Sequence, residues 1–272
     1  MKEARSVLHL LGVRNLLSLL LALALLGCRG PHHDAAPPPS SGAALALGAP
    51  VASHARPTTT IVRPQYAVAV NASTHIADWV SWRLVATDVG ATPRHVGAFL
   101  TDTSLPRGFY QVTHADYSRS GYDRGHLCPS QDRTSSTADN DATFFLTNVT
   151  PQTHELNAGP WEALEKYSRR LARQGKDLYI TAGPIFAGTP ATIGHGVAVP
   201  SAFYKVVVVL EHGQSVADVT AATTVLSVVM PNSHDVAADW HGYQVTLLQA
   251  EHAAGYRFLT GLAEPLHAAL TR

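Results

Sequence analysis

The sequence predicts a single α+β domain built on a central mixed or antiparallel sheet. Three observations carry that expectation. The chain has 272 residues, 46% of them hydrophobic, which supplies one sizeable core. Apolar runs at 178–186, 203–210 and 223–230 are bounded by Gly, Pro or polar clusters, as central strands are. Helical patterns precede and follow these runs in mixed order, which favours α+β over a regular βαβ alternation.

Taken in order, the chain opens on an address. Lys2, Arg5 and Arg14 flank an apolar run at 16–26, the length of a signal-peptide core and short for a bilayer span. Leu25-Leu26-Gly27-Cys28 resembles a bacterial lipobox. Residues 1–28 are thus expected to be a lipoprotein-type signal with Cys28 lipidated; ordinary secretion, with Cys28 incidental, is the alternative. Either way an exported bacterial protein is expected, anchored to a membrane through Cys28 or periplasmic or secreted. Residues 29–60, rich in Pro, Ala, Ser and Gly, read as a disordered linker of roughly 30 Å reach. The folded domain is expected to span 61–272.

Within it, 66–70 and 79–85 carry β-type residues with partial alternation, consistent with two early strands. Pro93-Arg94 falls in a polar loop. A short helix is expected over 139–145 and an apolar strand over 144–148. The clearest helix runs from Asn157 to Gln174, where Gly175 stops it. Trp161, Leu164, Ser168 and Leu171 form its buried stripe, and Pro160 is tolerated in its first turn. A last amphipathic helix is expected over 245–254, with 258–262 completing the core.

The formal net charge is zero, with 15 histidines uncounted, so any basic surface for nucleic acid must be local. Cys28 and Cys128 are the only cysteines and provide no disulfide framework; Cys128 reads as a small core residue. No glycine-rich phosphate loop, Cys-x-x-Cys or His-Glu-x-x-His occurs, which argues against nucleotide-dependent enzymes and zinc proteases. The histidines lack the spacing of a structural zinc site.

The chemistry concentrates in Tyr122-Asp123-Arg124-Gly125-His126-Leu127-Cys128-Pro129-Ser130. A histidine titrating near neutrality beside a carboxylate and a guanidinium suits a general base working on a phosphate. A satisfied core histidine is the competing reading. Downstream lie Thr147-Asn148-Val149-Thr150-Pro151-Gln152, then Leu156-Asn157-Ala158-Gly159-Pro160-Trp161 and Leu164-Glu165. Together these blocks resemble the DNA/RNA non-specific endonucleases. The resemblance implies a ββα-metal active-site unit, in which a strand pair carrying His126 is followed by the helix beginning at Asn157. It also implies a metal-dependent endonuclease that hydrolyses DNA or RNA phosphodiesters with little sequence preference, using Mg²⁺, with Mn²⁺ as an alternative. A catalytically inactive nucleic-acid-binding lipoprotein of the same fold is the second reading. No protein partner is expected.

Phosphodiester hydrolysis needs a deprotonated water and positive charge on the phosphate. His126 is the expected base. Asn157, a neutral hard oxygen donor, is the expected ligand of an ion that keeps most of its waters. Glu165 lies eight residues on, about 12 Å along a continuous helix, and is expected to act through water; Arg169, one turn later, would pair with it and orient it. In the family a Pro-Arg at about this distance before the histidine supplies an active-site arginine, which points to Arg94, a solvated surface arginine being the alternative. Arg124 is expected to clamp a phosphate oxygen and Asp123 to fix the local backbone or pair with a cation. Asn148 is expected to hold the histidine strand against the helix start.

Overall fold

The computed structural model of the protein describes residues 42–271. The signal segment and Cys28 lie outside them. The main elements of the described residues are nine strands and four helices: β1 Thr58–Val62, β2 Ala67–Asn71, β3 Ala77–Leu84, β4 Asp123–His126, α1 Thr137–Ala142, β5 Val149–Gln152, α2 Glu162–Arg173, β6 Asp177–Ile185, β7 Ala202–Leu210, β8 Thr224–Pro231, β9 Gln244–Val245, α3 Leu247–Ala254 and α4 Glu264–Leu270. Seven of the strands form one sheet in the order β9-β8-β7-β6-β3-β2-β1, antiparallel at every pairing.

Alternation in the sheet strands builds two cores, because successive side chains point to opposite faces. Phe203 and Val207 of β7 join Val80, Trp82, Ile180 and Val228 on one face, covered by Trp161 and Leu164 at the start of α2. Tyr204, Val206 and Val208 face the other way, onto Leu247, Ala250 and Ala254 of α3 and Leu270 of α4. Cover on both faces explains why the central strands read as unbroken apolar runs although they pair antiparallel.

The fold begins earlier than the composition implied. Residues 42–60, expected in the linker, include Leu47, which is buried in the second core, the pair Val51–Ala52 with Tyr256–Arg257, and most of edge strand β1. These contacts are long-range, so no local periodicity announces them. The expected strand at 144–148 is instead an isolated bridge from Leu100 to Phe145 and a 3₁₀ turn Leu146–Asn148, with β5 starting only at Val149.

The expected helix from Asn157 is broken. A turn His154–Leu156 passes into a wide turn Asn157–Trp161, within which Gly159 is non-helical (φ −103°, ψ −119°), and the regular helix starts at Glu162. Pro160 is the cause: its ring forces the preceding residue out of the helical region. The 12 Å rise reckoned between Asn157 and Glu165 therefore does not apply.

Candidate active site

β4 and β5 pair antiparallel as a separate ribbon, with Asp123 opposite Gln152 and His126 opposite Val149. The turn at Asn157 and helix α2 follow in sequence, which completes a ββα unit. Gly125 is required in this ribbon, since a Cβ there would run into the Gln152 side chain. Asn148 is fully buried. It accepts from the Cys128 N–H at 2.9 Å and donates to the Cys128 carbonyl at 2.9 Å and the Thr143 carbonyl at 2.8 Å. It therefore staples the segment after His126 to the end of α1, not to the turn at Asn157 that precedes α2. Cys128 is a buried core thiol whose pKa is raised by that burial.

A cleft of about 260 Å³ opens above this unit, and Arg94, Arg124, His126, Asn157, Glu165 and Arg169 all line it. His126, at the end of β4, packs its ring edge-on to Phe144 (centroids 4.9 Å) and beside Phe99 (5.3 Å). Its Nε2 is shielded from solvent and has no hydrogen-bond partner among the described residues. Burial, aided by the nearby Arg94 guanidinium, pushes its pKa down to about 3. The ring is thus neutral well below pH 7, further from titration than an unperturbed imidazole would be.

Asn157 donates its amide N–H to Asp123 Oδ2 at 3.0 Å, and the same oxygen pairs with His154 Nδ1 at 2.9 Å. Asp123 thus orients side chains rather than the backbone alone. With the nitrogen engaged, the planar amide of Asn157 offers Oδ1 on its other edge. Arg94 donates to the Ser130 hydroxyl and lies over the Phe144 ring at 4.8 Å; burial lowers its pKa, which Glu165 opposes. Arg124 donates from Nη2 to the His114 carbonyl at 2.9 Å and stands over Tyr117 at 5.5 Å. One nitrogen of the fork is spent on position.

The expected Glu165–Arg169 pair is replaced by two others. Arg169 binds Asp132 at 2.9 Å, and Asp132 also accepts from the Trp82 indole N–H at 3.0 Å. Glu165 meets Lys205 Nζ at 3.4 Å. Sequence spacing alone puts Glu165 and Arg169 one turn apart, whereas a buried guanidinium goes to the carboxylate that fits it best. Burial raises the Glu165 pKa, Lys205 lowers it, and Asp132 raises it further against Arg169. Lys205 and Asp132 were not singled out from sequence. For Lys205 a signal existed: it is the one charge inside the apolar run 203–210.

The donor set suits a hard, strongly hydrated cation. No group of three or more His, Cys, Asp or Glu able to hold a metal occurs among the described residues. The free amide oxygen of Asn157 and the Glu165 carboxylate share the cleft, an oxygen-only set of the kind that leaves most of an ion's waters in place.

This ββα cleft, with a neutral histidine, paired arginines and an amide oxygen, belongs to a nuclease: residues 46–264 match the model of the DNA/RNA non-specific endonucleases, and the chain is a member of that family. It acts on nucleic acid as a non-specific endonuclease, and the family works with a bound metal ion. Among relatives, the chain is 41% identical over 266 residues to a nuclease of Nostoc sp. (strain PCC 7120 / SAG 25.82 / UTEX 2576), covering 93% of each chain. It is 32% identical over 215 residues to mitochondrial endonuclease G of Homo sapiens, covering 74% of this chain and 69% of that one. Its fold superposes on a chain of the EndoG/EndoGI complex with a TM-score of 0.69 at 28% identity, covering 84% of this chain and 95% of that one. His126, Asn157 and Glu165 are brought into one cleft, and nothing favours the inactive alternative.

Proposed function

We propose that the endonuclease is Mg²⁺-dependent and that His126 is the base that activates water. The observation that carries this reading is the His126 imidazole, held neutral by its surroundings, in the same cleft as the free Asn157 oxygen and two guanidinium groups. Asn157 and, through water, Glu165 would hold the ion, which supplies positive charge to the phosphate. Arg94 and Arg124 would bind phosphate oxygens with the nitrogens that Ser130 and His114 leave free. His126 would take the water proton on the ring nitrogen that opens to the cleft. A bound phosphate anion offsets the Arg94 charge that now opposes protonation, so the imidazole gains basicity when substrate arrives.

Incubation of the purified protein with single- and double-stranded DNA and with RNA, with Mg²⁺, with Mn²⁺ and with EDTA, tests the reading. Internal cuts that require Mg²⁺ or Mn²⁺ are expected; cleavage undiminished in EDTA would overturn the metal assignment. We further propose export as a lipoprotein anchored through Cys28, which the apolar run and its terminal cysteine support.

A further inference from the structure

Lys205 occupies the middle of β7, opposite Ala182 of β6 and Val228 of β8, and is 1% exposed. An ammonium in such a place is costly unless it is paired, and an apolar side chain would suit the sheet better. Its neighbours explain its presence. Nζ lies 3.4 Å from Glu165 Oε1 and 3.8 Å from the centroid of the Trp161 ring. Burial lowers the Lys205 pKa, and Glu165 and then Asp132 oppose that. Glu165 has no other ion partner among the described residues, because Arg169 is committed to Asp132. Trp161 in turn donates its indole N–H to the His126 carbonyl at 3.3 Å.

We propose that Lys205 is a positioning residue of the active site: from the sheet beneath, it fixes the Glu165 carboxylate in the cleft and seats the indole that holds the His126 backbone. The inference rests on the catalytic role proposed for Glu165. It assigns the orientation of that acid to a strand residue 40 positions away, not to the arginine on its own helix. A surface ion pair would be worth little. Here both partners are shielded, with side-chain exposures of 1% and 11%, and a carboxylate left without its countercharge would turn away or take up a proton.

The test is a double-mutant cycle with Lys205→Met, Glu165→Gln and the double variant, reading kcat, KM and the Mg²⁺ concentration at half-maximal rate. Methionine keeps the stem packed on Trp161. Lys205→Met should lower kcat about 10- to 100-fold, as loss of an outer-shell partner does, with KM little changed and more Mg²⁺ required. The double variant should be no slower than Glu165→Gln alone. Additive losses, or full activity of folded Lys205→Met beside an impaired Glu165→Gln, would overturn the proposal while leaving the site reading intact. Full activity of Glu165→Gln would instead remove the role of Glu165 itself, and this inference with it. If Lys205→Met does not fold, Lys205→Gln, which keeps a donor toward Glu165, enters the same cycle. If no variant at 205 folds even with Glu165→Gln, Lys205 is a folding residue and the proposal is wrong.

Discussion

Asp123 Oδ2 accepts the Asn157 amide N–H at 3.0 Å, so the acid of the Asp-Arg-Gly-His motif decides which edge of the amide faces the cleft. Its carboxylate is both the lock on Asn157 and the partner of His154. Replacing Asp123 by Ala should free the amide to rotate and raise the Mg²⁺ requirement about 10- to 100-fold. Asp123→Asn keeps an acceptor oxygen and should lose less. Titration of activity against Mg²⁺, with calorimetry on the same variants, decides the matter; an unchanged requirement in Asp123→Ala would remove the lock.

His126→Gly separates a base from a ligand. Loss of a general base costs on the order of 10² to 10⁴ in rate, whereas loss of a ligand empties the metal site. The glycine variant is expected to keep its fold and Mg²⁺ affinity, to lose that factor in rate, and to recover part of it with free imidazole. Recovery should climb with pH around 7 as imidazole becomes neutral. Collapse of metal affinity with no rescue at any pH would make His126 a ligand.

The depressed pKa of His126 has a thermodynamic signature. In the folded protein it takes up a proton only near pH 3, in the unfolded chain near 6.5. Between those values the unfolded state binds more protons, so this residue makes stability fall as pH drops from about 6.5 toward 3. His126→Asn should flatten that part of the curve. Urea midpoints from pH 4 to 7.5 for both proteins measure it; parallel curves would mean that the ring is not held neutral by the fold.

Lipidation at Cys28 predicts a change of compartment. Each buried methylene contributes about 0.8 kcal/mol to anchoring. Cys28→Ala should therefore move the protein from a detergent-extracted membrane fraction to a soluble one. A mature N-terminus elsewhere than Cys28, with unchanged fractionation, would refute the anchor.

The motif residues and the central strands were legible because they are local signals: His126, Asn157 and Glu165 stand in short specific blocks, and 203–210 carries its own apolar run. What escaped was non-local. The ion partners of Glu165 and Arg169 come from β7 and from Asp132, at sequence separations of 40 and 37, which helix spacing cannot reveal. The role of Asn148 was legible as structural, but its partner was not, because the Thr143 carbonyl is offered by the C-terminal cap of α1, a contact that no sequence spacing announces. Residues 42–60 looked like linker because edge pairing and a single buried Leu47 leave no periodic trace.

The break at Gly159 has a mechanical consequence. With a continuous helix, Asn157 and Glu165 would ride on one rod, and any tilt of α2 would carry both. The non-helical residue between them gives each its own mount. Asn157 is bolted to the ribbon through Asp123, and Glu165 rests on the sheet through Lys205. Substitutions that repack α2 can then shift the acid without dragging the amide. Drift in the scaffold therefore reaches the two oxygen donors as independent errors, each tunable by a separate neighbour.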